Sequence, residues 1–151
     1  MAAGCRASTS SPPSTRRCSA SAWIPLCIDD GIGVIPWSPL ARGLLTGTRT
    51  REGERRTTRA QTDGFQDVLY GAADFDVVDR LDEVAGERGL PPAQVALAWL
   101  LHKPGVTAPI VGATRLEHLE DALAAAELTL GAEEIARLEE PYVPHSVIGH
   151  D

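Results

Sequence analysis

Val34-Ile35-Pro36-Trp37-Ser38-Pro39-Leu40-Ala41-Arg42-Gly43-Leu44-Leu45-Thr46-Gly47 is the stretch on which the reading of the fold turns. Its first half is a short apolar run entered from Gly31-Ile32-Gly33, and Pro, Ser and Gly then stop it. A short apolar run bounded by turn residues predicts a strand buried on both faces. The Gly-punctuated turn that follows lies at the carboxyl end of that strand, which is where parallel α/β folds bind ligands.

A second apolar run, Val106-Thr107-Ala108-Pro109-Ile110-Val111, leads into the turn Gly112-Ala113-Thr114-Arg115. Pro109 removes a ladder donor, so the regular part of this strand is expected to be very short. Thr114 with Glu117 three residues on is a capping-box pattern that opens a helix. Between the two runs the pattern is helical. Phe75, Val78, Leu81, Val84 and Ala85 recur at three- and four-residue spacing and predict a helix over Asp74 to Gly89. Asp74 or Asp76 can cap it, Gly89 ends it, and Pro91-Pro92 prevents its continuation. Pro92 then opens a second helix, to Lys103, that is apolar nearly all round from Val95 to Leu101. Such a helix must be covered by other protein. His102 and Lys103 fall in its last turn, where positive charge is favoured.

After the second turn, Leu116, Leu119, Leu123 and Ala126 form the expected inward stripe of a further helix. Gly131 to Glu140 reads as a short terminal helix with Gly131 as cap, Glu134 near its third residue, and Ile135 and Leu138 inward. A strand, a long helical crossover and a second strand imply a parallel pair.

The chain has 151 residues, 43% hydrophobic and 23% charged, enough for one domain with a core. Its net charge of −7 argues against general nucleic-acid binding, because no basic excess exists to neutralise phosphates. No apolar run approaches the length that crosses a bilayer. Cys5, Cys18 and Cys27 form no C-x-x-C pair, so the cysteines predict neither a disulfide framework nor a zinc site, and a cytoplasmic location is the default. No metal-ligand spacing is visible. Residues 1–22 read differently from the rest: Ser, Thr, Pro, Ala and Arg dominate, with no Asp or Glu. That composition predicts a disordered head, or alternatively a shifted reading frame. Arg49, Arg51, Arg55, Arg56 and Arg59 follow the first turn and read as a solvated loop, or as a flap over an anionic ligand. His145 and His150 read as solvated tail residues, and His102 as a helix-end residue rather than a base.

Ile35-Pro36-Trp37-Ser38-Pro39-Leu40-Ala41-Arg42-Gly43-Leu44-Leu45-Thr46-Gly47 resembles the seventh strand and following loop of the aldo-keto reductases, NADPH-dependent (β/α)8-barrel enzymes. The resemblance spans roughly Trp23 to Glu140. It implies an α/β fold, the C-terminal part of a TIM barrel: strands seven and eight with their helices plus a C-terminal helix, over residues 23–151. Trp23 to Asp30 resembles the end of the sixth barrel helix, with Gly31 as its stop and Cys27 buried between Leu26 and Ile28. The family's catalytic tetrad of Asp, Tyr, Lys and His lies in the part this chain lacks, so no catalytic residue is assigned. Neither Tyr70 nor Tyr142 sits in the catalytic context.

In barrels of this type, phosphate sites use the loops after strands seven and eight together with a helix N-terminus. Gly43 and Gly112 allow close backbone approach and are expected to leave amides free for phosphate oxygens. By resemblance, Trp37 stacks on the nicotinamide ring, and Ser38, Pro39, Leu40, Arg42 and Gly43 form the turn that lines the pyrophosphate. Gly112, Ala113, Thr114 and Arg115 match the loop that grips the adenosine 2′-phosphate, and His118 and Asp121 face the adenine. Ala122 stands where family members usually place Asn. The implied activity is carbonyl reduction by hydride transfer from NADPH, with a nicotinamide dinucleotide and, in an intact relative, a carbonyl compound as partners. The alternatives are a non-catalytic nucleotide-binding accessory subunit and a non-functional gene fragment. Open barrel edges predict self-association.

Overall fold

The computed structural model of the protein describes residues 19–48, 51 and 70–143. The described helices are α1 (Ser19–Asp29), α2 (Asp74–Arg88), α3 (Pro92–Leu101), α4 (Leu116–Glu127) and α5 (Ala132–Glu139), with a 3-10 turn at Ala41–Thr46 between α1 and α2. The expectations placed on residues 1–18, on the tail beyond 143, and on Arg49, Arg55, Arg56 and Arg59 lie outside the described residues. α1 begins inside the segment that the sequence sets apart as a head.

The two apolar runs do pair in parallel, through isolated bridges between Val34 and Val106 and between Trp37 and Ile110. The Val34 amide donates to Gly105 at 3.0 Å, Thr107 to Val34 at 2.8 Å, and Ile110 to Pro36 at 2.9 Å. The second run holds one residue more between the bridges than the first, and the run containing it includes Pro109, which has no hydrogen to donate. Regular pairing is as short as that proline implies. Burial on both faces is not found: Ile35 is 61% and Trp37 58% exposed. Two paired segments make too narrow a ribbon to be sandwiched, and the side chains a wider sheet would cover remain open.

α1 stops at Gly31 as expected. That glycine adopts φ +68°, and the Ile32 amide reaches back to the Cys27 carbonyl at 2.7 Å. Cys27 is half-buried rather than buried, because the neighbouring Leu26 and Ile28 are themselves exposed. At Gly105, φ is +84° and an added Cβ would lie 2.9 Å from Ile28 Cγ1, so the end of α1 sits directly on the entry to the second run.

α2 ends at Gly89, which takes φ +65° while Leu90 donates to the Ala85 carbonyl at 3.0 Å. Neither Asp74 nor Asp76 caps it; Ala73 is the N-cap, and the Asp74 carboxylate accepts from the Gly71 amide at 2.8 Å instead. α3 ends at Leu101, so His102 and Lys103 lie just beyond it. His102 Nδ1 is 2.7 Å from the Ala98 carbonyl, and its Nε2 accepts from the Leu130 amide, which fixes His102 as a helix-end residue.

The core forms where the all-round apolar α3 is covered by α2, α4 and the 3-10 turn. Val84, Val95 and Ala98 are fully buried, and Leu81, Leu97, Ala125, Leu130 and Leu138 join them. Each of the buried valine and leucine side chains contributes about 1.5–3 kcal/mol relative to exposure.

The inward stripe expected on α4 is overturned. Leu116 is 70% and Leu123 63% exposed, and Leu119 and Ala126 are exposed as well. The buried residue is Ala125, with Ala122 partly buried beside it. α4 has two apolar faces, and the small-residue face is the one against α3, where alanines let two helix backbones approach. The capping box is not formed either: Arg115 is the N-cap, in an extended conformation, with no side-chain cap. α5 follows the sequence closely. Gly131 is its N-cap, its amide donates to Glu134 Oε2 at 2.7 Å, and Leu138 is buried. Arg88 to Glu134 at 2.5 Å and Arg137 to Glu87 at 2.7 Å tie α5 to α2. Glu139 ties it to α3, accepting from Trp99 Nε1 at 3.2 Å and pairing with Lys103.

Candidate functional site

Because the paired segments run parallel, the turns that follow them leave from the same end. Trp37 is bridged to Ile110, and Gly112 follows two residues later. Ser38 to Gly43 and Gly112 to Arg115 therefore lie side by side at the carboxyl end of the ribbon.

The first turn is pinned from below. Ala41 and Leu44 are buried against Val78 of α2, with Leu45, Tyr70 and Phe75 packed around them. Its backbone is strained: Ser38, Ala41 and Arg42 have φ of 52°, 49° and 56°, in the left-handed region, before Gly43 at 97°. Each such non-glycine residue costs about 1–2 kcal/mol. Strain of this kind persists only where the surroundings impose it, and it clusters at functional turns. Here the Arg42 amide donates to Ser38 Oγ at 3.2 Å, and Leu40 accepts from Gly43 at 2.9 Å and from Leu45 at 3.3 Å. The expectation that Gly43 leaves its amide free is thereby corrected: the tight turn consumes it internally. The amides of Ser38 and Leu40 donate to no described residue. The Trp37 indole is more than half exposed.

The second turn is open. Gly112, Ala113, Thr114 and Arg115 are all exposed, and their amides donate to no described residue. An added Cβ at Gly112 would meet nothing within 4 Å. These amides lead into the N-terminus of α4, where the helix dipole favours negative charge. His118 is exposed on its first turn, Asp121 half-buried one turn on, and Ala122 partly buried. Arg115 Nη2 meets Glu117 Oε2 at 2.7 Å, with both side chains about two-thirds exposed. That pairing, which occupies the one guanidinium of this turn, escapes sequence reasoning, because Glu117 reads there as a capping residue.

Of the arginines after the first turn, Arg51 is the one described, and it faces elsewhere. It pairs with Asp76 and Asp79 of α2, each at 2.7 Å, and those carboxylates hold its pKa above the ordinary value. Among the described residues no group of three or more His, Cys, Asp or Glu could hold a metal ion, and no helix is long and apolar enough to cross a membrane. The donor set at the ribbon's end is instead a row of open amides, a guanidinium and an accessible indole. That set fits an anionic ligand carrying a planar ring.

The sequence profile of the Aldo/keto reductase family matches residues 11–142, and the chain belongs to that family. The match reaches further upstream than the resemblance read from Trp23. A provisionally named aryl-alcohol dehydrogenase of Schizosaccharomyces pombe is 46% identical over 127 residues, covering 83% of this chain and 35% of its own length. The versiconal hemiacetal acetate reductase of Aspergillus parasiticus is 41% identical over 128 residues, covering 82% and 36%. Among solved structures, the thermostable aldo-keto reductase Tm1743, in complex with the inhibitor epalrestat, superposes with a TM-score of 0.56 at 28% identity over 82% of this chain and 34% of that one. The fold is accordingly related to a (β/α)8 barrel, and the chain spans about a third of the length of the relatives it matches.

Proposed function

We propose that this chain supplies the dinucleotide-holding turns of an NADPH-dependent aldo/keto reductase, an oxidoreductase that reduces a carbonyl compound by hydride transfer. The observation that carries the reading is the emergence of both turns from one end of a parallel ribbon, one of them strained and bearing an exposed indole, the other lined with open amides. In this reading Trp37 stacks on the nicotinamide, and Ser38, Pro39, Leu40, Arg42 and Gly43 form the wall along the pyrophosphate. With the Gly43 amide used internally, the donors on that wall are the Ser38 and Leu40 amides. Gly112, Ala113, Thr114 and Arg115 take the adenosine 2′-phosphate, and His118 and Asp121 border the adenine. The cofactor, when bound, supplies the hydride; these residues bind and orient it. No residue here is assigned as the proton donor, so the isolated chain is expected to bind nucleotide without turnover.

The test is titration of the pure chain with NADPH by calorimetry, beside an assay of aldehyde reduction. Saturable NADPH binding without reduction supports the reading. Absence of NADPH binding overturns it, and NADPH-dependent reduction by the isolated chain overturns the statement that it lacks the proton donor.

A further inference from the structure

The Arg115–Glu117 pair has a consequence for cofactor choice, resting on the nucleotide-site reading above. We infer that Glu117 is a specificity-determining residue that competes with the 2′-phosphate for Arg115 and so reduces the preference for NADPH over NADH. The 2.7 Å contact joins the N-cap of α4 to the second residue of the helix. The carboxylate thus sits where a phosphate would gain from both the guanidinium and the helix dipole. Both partners are about two-thirds exposed, so the pair is weak and a dianion can displace it. Displacement leaves the Glu117 charge close to the bound phosphate and repelling it. The neighbouring charges on the same helix do not offset this, since Glu120 and Asp121 are also acidic.

Glu117 is on this basis a competitor, distinct from the phosphate ligands themselves. Removing its charge should tighten NADPH by about two- to five-fold, the size of a surface charge interaction, and leave NADH unchanged. The gain should shrink at high salt, because screening weakens the same repulsion.

The experiment is calorimetric titration of the full chain and of Glu117→Gln, Arg115→Gln and the double variant with NADPH and with NADH, at low and at high salt. Expected is a selective gain for NADPH in E117Q that is smaller when Arg115 is also replaced, because the competition for the guanidinium is then gone and only the direct repulsion of the phosphate remains. Glu117→Asp, which keeps the charge on a shorter arm, should stay near the wild-type ratio. An NADPH gain matched by an equal NADH gain, or no gain in a chain that does bind NADPH, overturns the role of Glu117 while leaving the nucleotide site standing. Failure of the unaltered chain to bind either nucleotide overturns both.

Discussion

The Ile110 amide donates to the Pro36 carbonyl at 2.9 Å, one residue before Trp37 on the first segment and two before Gly112 on the second. That bond brings together two turns separated in sequence by the whole α2–α3 crossover. Everything proposed for nucleotide binding depends on it, since neither turn alone surrounds a ligand.

Trp37 is the most direct probe of that arrangement. Its ring is 58% exposed, so truncation leaves no core cavity. Trp37→Ala is expected to weaken NADPH binding about three- to ten-fold, the range of an aromatic stacking contact, with an unchanged melting temperature. Trp37→Phe should recover most of the affinity. An unaltered dissociation constant in the alanine variant, measured by calorimetry, would remove Trp37 from the site.

Arg42 carries a different test, because its φ of 56° suits glycine. Arg42→Gly relieves about 1–2 kcal/mol of left-handed strain and loses about 0.4–1 kcal/mol to the freer unfolded chain. A net gain of up to about 1.6 kcal/mol is expected, read as a higher urea midpoint with an unchanged m-value. If the turn's shape serves binding, the same variant binds NADPH more weakly. A lower midpoint would show that the arginine side chain contributes more to the fold than its backbone costs.

Much of this architecture is legible in the residues themselves, and the failures share a cause. Gly31 and Gly89 announce helix ends because few other residues take positive φ, and α5 is announced by Gly131 with Glu134. Pro109 announces a short ladder. What periodicity cannot say is which of two apolar faces is turned inward. On α4 the leucine stripe gives the stronger pattern, yet the alanine face is buried, because close helix packing against α3 selects small residues. The strain at Ser38, Ala41 and Arg42 is silent in sequence because none of the three is glycine. The Arg115–Glu117 pair is hidden because Glu117 fits a capping box equally well. The proposed nucleotide site is thus legible as two turns and a resemblance, while the charge arrangement around it emerges only in the folded structure.

The ion pairs between α2 and α5 predict acid sensitivity of a definite sign. Arg88 first, and then the Gly131 amide, hold the Glu134 carboxyl below the usual carboxylate range, and Arg137 does the same for Glu87. A carboxylate whose folded pKa lies below its unfolded value adds stability above the unfolded value, and that share is lost as pH falls through the folded one. Glu134→Gln should therefore cost about 1 kcal/mol at pH 7. The difference from wild type should close below about pH 4, under the ordinary glutamate pKa. Urea unfolding across pH 3–7 checks this (the pH range brackets that ordinary value), and a gap that widens on acidification would contradict the assignment.

The exposed leucines of α4 lead to the last expectation. Leu116, Leu119 and Leu123 lie on one helix face at 70%, 46% and 63% exposure, and Ile35, Trp37 and Ile110 are open on the ribbon. Apolar area of this kind drives association, and the ribbon's outer edges, which pair with no other described segment, offer backbone donors and acceptors besides. The chain alone is expected to self-associate at micromolar concentration, and Leu119→Lys combined with Leu123→Glu should shift it toward monomer in sedimentation velocity. The double variant leaves the core untouched, so its melting temperature should not fall. A core truncation such as Leu100→Ala, at a residue 1% exposed, should instead cost about 2–5 kcal/mol. If the unaltered chain sediments as a monomer, the leucine face is not a driver of association. If the charged variant associates as strongly as the parent, the ribbon edges are the contact and α4 is exonerated.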